Sequence, residues 1–309
     1  MQQKIAFMGT PNFAVPILKC IYQNGYEIPV VYTQPPKKSN RGQKIEKSPI
    51  HLFSETLSLN VRTPDHLMEN NVEHEYIKNL DLDLVIIIAY GKIIPENFLS
   101  LSKQGFINLH ASILPKWRGA APIQRSIMNQ DKETGISVMK INEKLDEGDI
   151  SHIFKINIIE NENTESLTSR LSILASENIS NIIYSILDQE VNFEPQNHLQ
   201  ATYAKKIKKT EGLINWNDDA EKIIGKINGL YPYPGGYFIF KGERYKILKA
   251  ERSFSKESPG KILTNDLEIS CGTNSIKILE IQKEGKKPQK IKEFLLGSQI
   301  KKGNNLLDV

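Results

Sequence analysis

A chain of 309 residues is longer than one compact core usually fills, and 39% hydrophobic with 25% charged residues suits two ordinary globular domains. No long apolar run occurs, which argues against a helical membrane span, and the N-terminus lacks the apolar core and small-residue cleavage site of a signal peptide. Cys20 and Cys271 stand in no CxxC or Cys/His cluster, so neither a disulfide framework nor a structural zinc site is expected, and a reducing cytoplasm is the expected compartment. The net charge of +4 is unevenly placed. From Tyr203 onward 21 Lys/Arg face 13 Asp/Glu, a net +8, which leaves −4 for the residues before it. A basic C-terminal part on a mildly acidic body suits a polyanionic partner, although a solvated lysine-rich surface has the same composition.

In chain order, Lys4 to Met8 and Ile28 to Tyr32 read as short strands, with a helix from Pro16 to about Gln23 between them. Proline is accepted in a first helical turn because no bond needs its missing N–H. Leu84 to Ala89 is a continuous apolar run, as expected of a strand buried on both faces. Gly105 to His110 is a strand ending in polar residues, and Gly135 to Lys140 and His152 to Ile158 add two more. This alternation predicts an α/β unit, a Rossmann-like and mostly parallel sheet with helices on both faces. Thr164 opens a long helix with Leu167, Leu171, Leu174, Ile179, Ile182, Ile183 and Ile186 as its apolar stripe. The polar stretch after it, with Pro195 and no clear period, reads as a linker. Beyond the short helix Ala220 to Asn228 come Gly236 to Phe240, Arg244 to Ala250, Leu267 to Ser270 and Ser275 to Gln282. Short runs separated by Gly, Pro and Asn turns predict a small OB-like β-barrel. The expected division is therefore 1–188 as catalytic domain, 189–206 as linker and 207–309 as barrel.

Four features carry chemical information. Gly9-Thr10-Pro11 follows the first strand but is not GxGxxG, so no dinucleotide cofactor is expected. Asn108 and His110 lie two apart at the end of a strand and therefore share one side of it. At the carboxyl end of a parallel strand they would sit where open α/β sheets place ligands, and an amide with an imidazole can hold an oxyanion. A polar pair merely finishing a strand reads the same way. Asp146, in the turn Leu145 to Asp149, follows His110 by 36 residues. A carboxylate beside an imidazole orients it and favours its charged form, but an acidic turn is a common surface feature. Finally, Gln34 to Lys44 is a long basic loop punctuated by Pro and Gly, able to reach a phosphate backbone or simply to be solvated.

The block Asn108-Leu109-His110-Ala111-Ser112-Ile113-Leu114-Pro115 resembles the signature of N10-formyltetrahydrofolate-dependent formyltransferases. Trp117 to Ile123 and Leu145 to Gly148 are similar to the methionyl-tRNA branch of that family, as are Phe7 to Ala14, Ala89 to Pro95 and Pro232 to Gly236. The likeness runs from the first strand to about residue 250. It implies that Asn108, His110 and Asp146 carry the chemistry. By the same resemblance Ser112, Ile113, Leu114 and Pro115 lie along the folate, and Ala89, Tyr90 and Gly91, with the loop from Met139 to Asp146, help to form its pocket. The implied donor is 10-formyltetrahydrofolate, with no metal required, and the implied acceptor is the amino group of initiator methionyl-tRNA in translation initiation. The basic loop, with Lys37, Lys38, Arg41 and Lys44, would contact the acceptor stem. A monomer is expected. Departures are few: Ile113 stands where leucine is usual, Gly236 where alanine is common, and Glu147 where a small residue or threonine precedes Gly148. Formylation of an amino-sugar nucleotide stays open as a second reading. Glycinamide ribonucleotide formylation needs no basic second domain, and an RNA-binding module on an inactive scaffold would leave the intact trio without a use.

Overall fold

The computed structural model describes residues 2–39 and 44–308. The chain divides into two compact units, one made of residues up to Ala120, Gly135–Ile156 and Thr168–Ala204, the other of Ala121–Thr134, Asn157–Leu167 and Lys205 onward.

The first unit is built on a seven-stranded sheet in the order Ile150–Asn157, Glu133–Lys140, Phe106–His110, Leu84–Ile88, Ile5–Gly9, Val31–Tyr32, Val61–Arg62. The strands from Phe106–His110 to Val61–Arg62 are mutually parallel, and Glu133–Lys140 joins Phe106–His110 antiparallel. The apolar runs form the centre of this sheet because both of its faces are covered. Ala6, Met8, Val85 and Ile87 pack with Ile77 of the Asn71–Asn79 helix, while their neighbours Ile5, Phe7, Leu84, Ile86 and Ile88 are equally buried on the opposite face. The helix Val15–Gln23 begins with Pro16 in its first turn and buries Ile17, Leu18 and Ile21. The expected strand at Ile28 to Tyr32 is shortened to Val31–Tyr32, since Pro29 has no N–H to give to a ladder.

Residues read from the sequence as one long basic loop contain a small antiparallel pair, Lys37–Ser39 with Lys44–Glu46. Lys37 stands opposite Glu46 in this ladder, an opposite-charge cross-strand pair. The segment after the Thr164–Leu187 helix, read as a linker, is closely packed at two places. Gln196 is buried, and Tyr203–Ala204 pairs with Arg118–Gly119.

The second unit is antiparallel, with strands ordered Gly236–Phe240, Glu243–Ser253, Ser275–Lys283, Glu268–Ser270, and Gln289–Lys290 also pairing with Ser275–Lys283. Its core combines Phe238, Ile247, Ile269, Ile276 and Ile278 with Trp216 and with Ile223 and Ile227 of the Ala220–Gly229 helix. The helix Pro122–Met128 also belongs here because Gly225 and Gly229 let it approach. A Cβ at Gly229 would stand 2.4 Å from Met128 Cγ and one at Gly225 3.0 Å from the Met128 carbonyl.

Candidate active site

One face of the Phe106–His110 strand runs from Phe106 through Asn108 to His110, turning from apolar to polar at its carboxyl end. Asn108 lies in register with Ile87 on one side and Met139 on the other, and His110 with Ser137. Both side chains are almost buried. Among the described residues the buried side-chain polar atoms without a partner are His51 Nδ1, Ser54 Oγ and the Tyr90 hydroxyl, and Asn108, 9% exposed, is not one of them. His110 is flanked on both sides. Its Nε2 lies 3.0 Å from the Trp117 carbonyl and its Nδ1 3.6 Å from Asp146 Oδ2, so each ring nitrogen faces an oxygen.

Asp146 reaches this position from the loop that joins the Glu133–Lys140 and Ile150–Asn157 strands. Its backbone is left-handed, with φ 51°, a conformation that a non-glycine residue keeps only when its surroundings enforce it. Three contacts do so. The Gly119 N–H donates to Asp146 Oδ2 at 2.8 Å, and the Gln196 Nε2 amide donates to the carbonyls of Asp146 at 2.9 Å and Gly148 at 2.7 Å. Gly148 itself is pressed on the preceding strand, where a Cβ would lie 1.9 Å from the Lys140 carbonyl oxygen.

The segment expected along the folate leaves the same strand end. Ser112 is buried and donates to the Lys116 carbonyl at 2.6 Å, and Ser137 Oγ bridges the segment by donating to the Ser112 carbonyl and accepting from the Leu114 N–H. Leu114 is buried, whereas Ile113 and Pro115 are partly open. Ala89 follows Ile87 by two residues as His110 follows Asn108, so the Ala89–Gly91 turn leaves the sheet beside His110. Ala89 and Gly91 are exposed, with φ 47° and 75°, and Tyr90 points inward. Burial, helped by the nearby Glu73 carboxylate, pushes the Tyr90 phenol well above its ordinary range, so it stays protonated. The turn is held by Thr10 Oγ1 donating to the Tyr90 carbonyl and Gln34 Nε2 donating to the Tyr90 and Gly91 carbonyls.

The structure thus brings Asn108, His110, Asp146, Ser112 to Pro115 and Ala89 to Gly91 to one edge of the first unit. Lys37 is exposed and donates to the side chain of Gln34, the residue that holds the Ala89–Gly91 turn. The backbones of Lys38 and Lys44 lie in the small ladder beside it, and Arg41 falls outside the described residues. Sequence reasoning gave Arg118 and Glu147 no place in the site and passed over Gln196 and Ser137. Arg118 could have been noticed as the charged residue of the Trp117 to Ile123 stretch, whereas nothing in the aperiodic stretch around Gln196 marks it. Among the described residues no group of three or more His, Cys, Asp or Glu is arranged to hold a metal ion, and no helix is long and apolar enough to cross a membrane.

Residues 3–183 match the family model described as formyl transferase, and residues 206–299 that of the formyl transferase C-terminal domain. A methionyl-tRNA formyltransferase of Pelagibacter ubique (strain HTCC1062) is 61% identical, with all of both chains covered. One from Caldanaerobacter subterraneus subsp. tengcongensis is 40% identical over 98% of this chain and 99% of that protein. Among solved structures, the sugar 3N-formyl transferase WlaRD, crystallised with dTDP and 5-N-formyl-THF, superposes with TM-score 0.71 at 21% identity, over 93% of this chain and all of that one. The methionyl-tRNA formyltransferase from Clostridium thermocellum gives 0.56 at 20% identity, over 82% and 95%. HypX from Aquifex aeolicus in complex with tetrahydrofolic acid gives 0.66 at 15%, and this chain spans about half (49%) of it. The structural likenesses establish the α/β fold with its C-terminal β unit, and the full-length identities go further. The chain belongs to the methionyl-tRNA formyltransferase family.

Proposed function

We propose that this chain transfers the formyl group of 10-formyltetrahydrofolate to the free α-amino group of the methionyl moiety on initiator tRNA. The observation that carries the reading is the Asn108 amide, nearly buried at the carboxyl end of its strand and two residues from His110 on the same face. Such an amide is suited to receive an oxygen that only the reacting substrate brings. The folate supplies an activated formyl carbon. The methionyl amine, in its neutral form, attacks that carbon, and the bond from the carbon to the folate nitrogen breaks. Asn108 and His110 hold the charge that develops on the formyl oxygen. Asp146, 3.6 Å from His110 Nδ1, orients the ring, and it can pass the proton lost by the amine toward the leaving folate nitrogen through water. Ser112 to Pro115 and the exposed Ala89 to Gly91 turn line the folate in this reading.

The full-length relatives, whose name specifies methionyl-tRNA, support this acceptor. Residues 1–188 then hold the chemistry, 189–206 connect, and 207–309 bind tRNA through their excess of lysine. Lys37, Lys38, Arg41 and Lys44 are the candidates for contact with the acceptor end, Arg41 because a guanidinium can make paired hydrogen bonds or stack on an unpaired base. The deciding assay offers the formyl donor with either charged initiator tRNA or a dTDP-linked amino sugar. Transfer to the tRNA amine is expected; faster transfer to the amino sugar overturns the assignment.

A further inference from the structure

Behind Asp146 lies a buried polar cluster for which the proposed chemistry has no direct use. The Arg118 guanidinium is only 1% exposed, an expensive position for a charge unless every donor is matched. Its Nε and Nη2 donate to Gln196 Oε1 at 3.0 and 2.8 Å, and Nη1 stands 3.2 Å from Glu147 Oε1. Nη2 also lies 3.2 Å from His198 Nδ1, which accepts there because a guanidinium can only donate.

That one-way chemistry fixes the orientation of the Gln196 amide. Its oxygen must face Arg118, so its nitrogen must face away, and there stand the carbonyls of Asp146 and Gly148 at 2.9 and 2.7 Å. The amide therefore uses two donors and two acceptor positions at once. A carboxylate in its place would keep the Arg118 contacts but set oxygen against two carbonyl oxygens. An apolar side chain would keep neither set. The Asp146 carboxylate is gripped from the other side by the N–H of Gly119, the residue directly after Arg118. Two neighbours in sequence, one through Gln196 and one directly, thus fix both the backbone and the side chain of the residue facing His110.

We infer that Gln196, oriented by Arg118, is a positioning residue that holds the Asp146 loop in the conformation required for formyl transfer. The inference rests on the catalytic reading of Asp146 given above and extends the site into the segment between the two family-matched regions, 3–183 and 206–299.

The test is a double-substitution cycle in the full chain, with Gln196→Glu, Asp146→Asn and the two combined, assayed for kcat and for KM of folate and charged tRNA. Gln196→Glu is expected to lower kcat about tenfold, as lost outer-layer partners do, with both KM values within about threefold of the parent. In the Asp146→Asn background the same change should cost less than about twofold, because the residue it positions is already disabled. Amide hydrogen exchange gives a readout free of turnover: the Gly119 N–H should exchange faster in Gln196→Glu, since its acceptor is no longer held. Should the charged variant fail to fold, Gln196→Met carries the same test. Parental kcat in Gln196→Glu, or an undiminished loss in the Asp146→Asn background, overturns the inference and leaves the function intact. Parental kcat in Asp146→Asn instead removes Asp146 from the mechanism, and the inference with it.

Discussion

Around Asp146 the polar atoms are closely matched: the Gln196 amide makes four hydrogen bonds and Arg118 meets three side chains. The C-terminal unit places its charge differently. Lys241, Lys283, Lys286 and Lys287, with Glu243 and Glu293, border an open cavity of about 600 Å³ lined also by Phe240, Tyr245 and Phe294, and Lys283 stands 3.5 Å from Glu243. In the first region each atom has a fixed place and removal of one leaves its partners unsatisfied. In the second, each lysine contributes to a field that its neighbours also supply. Single substitutions should therefore act steeply at the sheet edge and weakly, but additively, on the basic surface.

The largest effect is expected where the comparison is sharpest. Asn108→Ala and His110→Ala should each lower kcat by about 10²- to 10³-fold, the loss typical of one oxyanion donor, with unchanged circular dichroism. A folded variant that keeps parental turnover would take its residue out of the mechanism. Asp146→Asn should cost about tenfold, near 1.4 kcal/mol, because it acts through His110. A folded variant with parental kcat makes Asp146 a turn residue only.

An effect on stability rather than turnover tests whether the first unit's other buried charge is held as tightly. Burial works against the Glu73 carboxylate, yet hydrogen bonds from Arg62 at 2.7 Å and from Tyr32 outweigh it and hold its carboxyl below the usual range. Because the folded value is depressed, this stabilisation is complete above the unfolded carboxyl's pKa and is lost as pH falls through the folded value. Glu73→Gln should then lower stability by about 2 kcal/mol at pH 7, with the gap to the parent closing on acidification. A gap that stays constant with pH would show that the pair's charge contributes nothing.

The smallest single effects belong to the lysines of the second unit. Each of Lys241→Gln, Lys283→Gln, Lys286→Gln and Lys287→Gln should weaken tRNA binding only a few-fold, while the salt dependence flattens by about one log–log unit per phosphate contact removed. One substitution that abolishes binding, with its neighbours silent, would mean that this surface is a specific site like the sheet edge.

These two regions also differ in how far they could be read from the sequence. That Asn108 and His110 share one face was legible because strand alternation puts residues two apart on the same side, but their role needed the resemblance. The apolar runs of the central strands and the stripe from Leu167 to Ile186 were legible for the same periodic reason. Asp146 needed the resemblance, since its approach to His110 depends on a left-handed turn and on Gly119 rather than on spacing. Gln196 was beyond reach. It lies in an aperiodic polar stretch, the carbonyls it holds about 50 residues away leave no residue-type signal, and nothing in the spacing pairs it with Arg118. The Lys37–Ser39 and Lys44–Glu46 ladder escaped because three-residue strands of charged residues carry no apolar alternation.

Gly148 has a consequence for anyone who wishes to redesign the acceptor. With a Cβ there only 1.9 Å from the Lys140 carbonyl oxygen, the loop is clamped to its parent strand at a point two residues beyond Asp146. Exposed positions such as Glu143, Lys144 and Leu145 are open to variation in a library of this loop. Gly148 should be left untouched in such a library, since any side chain there must lift the clamp and carry Asp146 away from His110.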